Sequence, residues 1–126
     1  MADDDFVVRV LWWEVNLGLR TLCLAAHAMA KAKGFWETDR NVGELLALMH
    51  SEISEALEEY RAGRPLTAIR LDPTTGKPEG FPIELADLLI RVFDLAGKFG
   101  INLPEAIKMK MSYNATRPHR HGGKLC

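Results

Sequence analysis

The sequence predicts an all-α fold, a four-helix bundle with a basic C-terminal tail. Three observations predict it. Four segments carry apolar residues at helical spacing. Glycines and prolines, which stop helices, mark the junctions between those segments. The last stretch, Ala106 to Cys126, has no acidic residue but holds Lys108, Lys110, Arg117, Arg120 and Lys124. A length of 126 residues suits one domain, spanning 1–126.

The first helix is expected over about Phe6 to Lys33, a stretch with no proline and one glycine, Gly18, stopped by Gly34. Its apolar residues, Trp12 and Trp13 included, spread round most of the circumference. A short chain has too little of itself to cover such a helix, so a second copy is the expected cover. The second helix follows Asn41, a candidate N-cap with Glu44 three residues on. Val42, Leu45, Leu46, Met49, Ile53, Ala56, Leu57 and Tyr60 form its apolar stripe, and Gly63 and Pro65 end it. Residues 64–82 hold four prolines and read as a loop, with a short extended piece near Leu66 to Leu71. The third helix runs from about Pro82 to Phe99 and ends at Gly100. The fourth covers about Leu103 to Tyr113, and the tail from Asn114 has no predicted regular structure.

Bulk properties bound the function. The formal net charge of −1 excludes a chain that binds polyanions through its overall charge. Cys23 and Cys126 form no CxxC motif, which points to a reducing compartment. The acidic start, Met-Ala-Asp-Asp-Asp, is unlike a secretory or mitochondrial address, and no apolar run is long enough to span a membrane. The expected location is cytoplasmic, without a membrane partner.

The chemistry lies in paired carboxylates. Glu52 and Glu55 stand three apart on the second helix and share a face, near the edge of its apolar stripe; Glu59 lies along the same edge. Glu84 and Asp87 repeat the spacing on the third helix. There the polar residues Glu84, Asp87, Arg91, Asp94 and Lys98 make one narrow stripe on an otherwise apolar surface. One such pair is common on solvated helices, and the alternative is that Glu84 and Asp87 simply pair with Arg91. Two pairs beside apolar faces carry a desolvation and repulsion cost that cations between them would relieve. Hard oxygen ligands without Cys or His suit Mg²⁺ or Mn²⁺. A di-iron bundle is disfavoured, because no histidine follows a glutamate by three residues.

The order and spacing of these motifs resemble the all-alpha MazG-like nucleoside triphosphate pyrophosphohydrolases. The resemblance rests on Glu44–Glu52 leading into ExxE, on Glu84–Arg91 around ExxD and on Lys110–Pro118, and it covers about Ala25 to Lys124. It implies that Glu52, Glu55, Glu84 and Asp87 hold Mg²⁺, or Mn²⁺, and carry hydrolysis of a nucleoside triphosphate to monophosphate and pyrophosphate, a nucleotide-pool house-cleaning chemistry. It places Lys110, Asn114 and Arg117 on the phosphates, with Tyr113 beside them and Arg120, His121 and Lys124 closing over. From dCTP-pyrophosphatase members it adds His27 and Trp36 as a base pocket. Ser51 departs from dUTP-hydrolysing relatives, which carry a further glutamate there. The apolar first helix predicts a homodimer or homotetramer, and no stable nucleic-acid partner is expected. The competing reading is a non-catalytic helical scaffold, or a nucleic-acid-binding protein that uses the basic tail.

Overall fold

The computed structural model describes residues 2–125, with backbone alone for 2–10 and 121. It is an all-α architecture. Helix α1 spans Ala2–Ala32, α2 Val42–Arg61, α3 Phe81–Phe99 and α4 Leu103–Ala115, with a one-turn α5 at Arg120–Gly123. No helix among the described residues is long and apolar enough to cross a membrane.

Local chemistry sets the helix ends. Asn41 caps α2, its side-chain oxygen accepting the Glu44 backbone N–H at 3.2 Å. Asn102 does the same for α4 through Glu105, and Pro104 fills the first turn. Gly100 ends α3 in the left-handed region at φ 64°, and the Ile101 N–H bonds back to the Ala96 carbonyl at 3.0 Å.

The linker between α2 and α3 is more ordered than its prolines suggest. Strand β1 (Arg70–Leu71) pairs antiparallel with β2 (Pro78–Glu79), Arg70 opposite Glu79. Asp72 shapes the turn by accepting the Thr74 and Thr75 N–H groups, both at 2.8 Å. The extended piece expected near Leu66 to Leu71 is thus shorter, and its partner strand lay hidden among prolines. The C-terminal end also differs from expectation. Helix α4 continues through Asn114 and Ala115, and a helical turn follows where no regular structure was predicted.

Helix α3 is the centre of the fold. Both α1 and α2 pack on it, while α4 lies on α1 and β2 leans on α3. Cys23, Phe93 and Ala96 form the core, with Leu19, Ala26 and Leu103 against it. The α1–α3 crossing is close because Gly97 has no side chain. A Cβ there would sit 2.7 Å from the Cys23 carbonyl oxygen and 2.8 Å from His27 Cβ. Large apolar side chains remain outside: Trp13 is 67% and Leu24 71% exposed on α1, and Leu46, Ile53 and Leu57 are exposed on α2.

Replacing Gly97 by Ala sets two effects against each other. Helix propensity favours Ala by about 1 kcal/mol. Overpacking against a backbone oxygen costs about 1–3 kcal/mol and prevails, because that oxygen belongs to the neighbouring helix. Gly97→Ala should lower the melting temperature by roughly 3–8 °C in thermal denaturation. An unchanged or higher value would mean that α1 and α3 do not approach this closely.

Candidate metal centre and adjoining pocket

Helix α2 buries an acid within its own core-facing stripe. Leu45, Met49, Glu52 and Ala56 follow the helical repeat and are its buried residues, Glu52 at 6% exposure. The sequence reading placed Glu52 at the edge of the apolar stripe. The helix is in fact rotated so that Glu52 points inward while Val42, Leu46, Ile53, Leu57 and Tyr60 are exposed. Helix α3 keeps an apolar buried side, with Phe93 and Ala96 innermost, but mixes charge into it. Its polar residues Glu84, Asp87, Arg91 and Asp94 are half-buried, whereas Leu85, Leu89 and Ile90 are exposed.

This packing brings three of the four predicted carboxylates together. Glu52, Glu55 and Glu84 each offer an oxygen within 4.8 Å of the others; Glu55 is exposed and Glu84 half-buried. Asp87 is outside that group but close enough for its charge to act on Glu84. Burial, a shared hydrogen bond with Glu55 and the charges of Glu55, Asp87 and Glu52 push the Glu84 carboxyl up to about 7. Arg91 supplies the other relief, its Nε donating to Glu52 Oε1 at 2.7 Å. The alternative in which Arg91 pairs with Glu84 and Asp87 is not what forms: Arg91 bonds Glu52 across the α2–α3 interface.

Glu59 does not join the cluster. It bonds Arg64 at 2.9 Å and both terminal nitrogens of Arg70 at 2.8 and 2.9 Å. The Arg70 bond, with help from Arg64, holds its carboxyl down at about 2. Arg70 also reaches Glu79 at 3.2 Å, so Glu59 fastens the β-hairpin to the end of α2.

Glu52 and Asp87 also line a pocket of about 310 Å³ between α1, the α1–α2 linker and α3. Ala26, Met29, Phe35 and Ile90 give it apolar walls, and Lys33, Arg40 and Arg91 bring positive charge. Asp94, on the pocket wall, organises the two predicted base-pocket residues. Its Oδ1 lies 2.8 Å from His27 Nδ1 and accepts Trp36 Nε1–H at 2.9 Å. An ionised carboxylate only accepts, so His27 carries its proton on Nδ1. The His27 and Trp36 rings meet edge to face at 5.8 Å. Lys98 and Arg40 stand over the indole at 5.0 and 5.6 Å. Sequence reasoning named His27 and Trp36 but not Asp94, whose signal was its place on the α3 polar stripe.

The predicted phosphate-binding residues lie elsewhere. Lys110 stands over the Tyr113 ring at 5.2 Å on α4, which packs on α1. Tyr113, Asn114, Arg120 and Lys124 are exposed and Arg117 half-buried. The His121 side chain lies outside the described residues. Among the described residues, no hydrogen bond or ion pair joins Lys110, Asn114, Arg117, Arg120 or Lys124 to the carboxylates of the same chain.

Three oxygens from two helices, hard and anionic, fit a Mg²⁺- or Mn²⁺-type ion. No protein-family model, curated protein or solved structure matches the chain.

The carboxylate geometry makes stability depend on pH in the absence of metal. Glu84 binds its proton more tightly folded, at about 7, than at its ordinary value of 4.5. Its stabilising contribution is complete below about 4.5 and is lost as pH rises through about 7. Glu59 works in a separate window, being held at about 2; its contribution is complete above about 4.5 and is lost as pH falls through about 2. Thermal melts in chelator should therefore show stability falling from about pH 5 to pH 7.5, and Glu84→Gln should flatten that fall. A wild-type profile flat across this range would contradict the coupling of the three glutamates.

Proposed function

We propose that this chain is a Mg²⁺-dependent nucleoside triphosphate pyrophosphohydrolase of the MazG-like kind, releasing a monophosphate and pyrophosphate. The observation that carries the reading is the convergence of Glu52, Glu55 and Glu84 within 4.8 Å, with Glu52 shared by a pocket sized for a small molecule. Bound there, Mg²⁺ would polarise phosphoryl oxygens and lower the pKa of a coordinated water. Glu52, Glu55 and Glu84 would hold it, with Asp87 beside them.

The chain's own residues supply binding and orientation. The apolar wall of Met29, Phe35 and Ile90 offers a face for a nucleobase. Asp94, on the pocket wall, fixes His27 and Trp36 behind that wall, and neither ring lines the pocket itself. Burial of Glu52 keeps one ligand out of competing water. In this reading Lys110, Asn114 and Arg117 contact phosphates when a second copy brings its α4 alongside, a homodimer or larger assembly that also covers the apolar faces of α1 and α2.

Pyrophosphate release from a panel of canonical and modified nucleotides, with and without Mg²⁺, tests the activity. Glu55→Gln and Asp87→Asn should each lower turnover by about a hundredfold or more, since each removes a charge from the metal site. Their helical circular dichroism should stay that of the wild type. Wild-type rates in both variants would exclude the carboxylate centre.

The tail is tested separately. Arg117→Ala should cost about 1.5–3 kcal/mol of transition-state binding, roughly a ten- to hundredfold loss in kcat/KM. Mixing it with Glu55→Gln protomers should restore activity, because each copy then supplies what the other lacks. If Arg117→Ala turns over nucleotide normally but loses affinity for DNA or RNA, the tail is a nucleic-acid arm.

A further inference from the structure

The pocket beside the carboxylates is lined by three cations as well as by three acids, Glu52, Asp87 and Asp94. Lys33, Arg40 and Arg91 all line the same space of about 310 Å³. Arg40 and Arg91 also share a crevice of about 20 Å³ against Asp94. Cations gathered on one wall repel, and each would ordinarily be covered by an acid. Here the three acids cover them only in part. Among the described residues, Lys33 and Arg40 form no ion pair, and Arg91 gives only its Nε to Glu52, leaving both terminal nitrogens without a bond. The nearby acid Asp94 is already engaged by His27 and Trp36. Arg40 is held instead against aromatic rings, 5.6 Å from the Trp36 centroid and 5.9 Å from that of Phe35. That support fixes the guanidinium without using its hydrogen-bond donors.

We propose that Lys33, Arg40 and Arg91 form a polyphosphate grip, so that the chain supplying the carboxylates also holds the phosphates of its nucleotide. The inference rests on the pyrophosphohydrolase reading for the identity of the ligand, and on the unbonded cationic donors of the pocket, not on a net positive charge, for its contacts. Three observations combine in it: unpaired donors, a shared small cavity and the neighbouring carboxylates. The two guanidinium groups suit phosphate through paired hydrogen bonds, and Lys33 adds a point charge. The cavity volume is at the lower end of the range for small-molecule sites, which favours a free nucleotide over a nucleic-acid strand. The sites on α4 are then an addition to this grip and not its only source of positive charge.

Isothermal titration calorimetry with inorganic triphosphate and Mg²⁺, on the full chain, tests the grip. The wild type should bind; Arg40→Ala should weaken binding by about tenfold or more and Arg40→Lys by less. Arg91→Lys, which keeps the charge beside Glu52, should also weaken it, and Lys33→Ala should do so by a few fold. Absence of wild-type binding at millimolar triphosphate, or unchanged affinity in Arg40→Ala and Arg91→Lys, would overturn the proposal. Either result leaves the hydrolase reading standing if nucleotide turnover is intact. Weakened triphosphate binding in the variants, from a wild type that hydrolyses no nucleotide, would uphold the grip and overturn the hydrolase reading.

Discussion

Burying the Glu52 carboxylate is the constraint on which the rest of this structure depends. A charge removed from water costs several kcal/mol unless bonds or counter-charges replace its hydration. Glu52 lies between Met49 and Ala56 on the buried stripe of α2, so α3 must present something other than apolar side chains to it. It presents Arg91, and it turns Glu84, Asp87 and Asp94 toward the same side. Leu85, Leu89 and Ile90 are exposed on α3, as are Leu46, Ile53 and Leu57 on α2. Both helices leave apolar side chains exposed while charge gathers at their interface. Three of those carboxylates, Glu52, Glu55 and Glu84, come close enough together to hold a hard cation.

The local features of the fold were legible because short-range chemistry decides them. Asn41 caps α2 through Glu44, and Gly100 stops α3 in a left-handed conformation, both as the residue types demand. The ExxE and ExxD spacings likewise place each pair on one helix face. The rotation of each helix about its axis was not legible. The apolar stripe of α2 includes Val42, Leu46, Ile53 and Leu57, and periodicity alone assigns them to the core. Their exposure depends on what α3 offers Glu52, which is a tertiary matter.

The same distinction accounts for the residues that were missed. Asp94 lies far along the chain from both His27 and Trp36, and only the α1–α3 crossing at Gly97 brings the three together. Glu59 shares an edge with Glu55 in sequence but is claimed by Arg64 and Arg70 from the linker. The β-hairpin that delivers Arg70 has two-residue strands, too short for alternation to reveal. Asp72 and its two backbone hydrogen bonds carry that turn instead.

Without a cation, Arg91 and a proton on Glu84 relieve the gathered carboxylates, and a bound cation would take their place. Anomalous diffraction from crystals grown with Mn²⁺ tests this most directly. The expected result is an ion between Glu52, Glu55 and Glu84, with Arg91 released from Glu52 toward the pocket. Crystals that hold no ion there at millimolar Mn²⁺, with Arg91 still bonded to Glu52, would contradict the account.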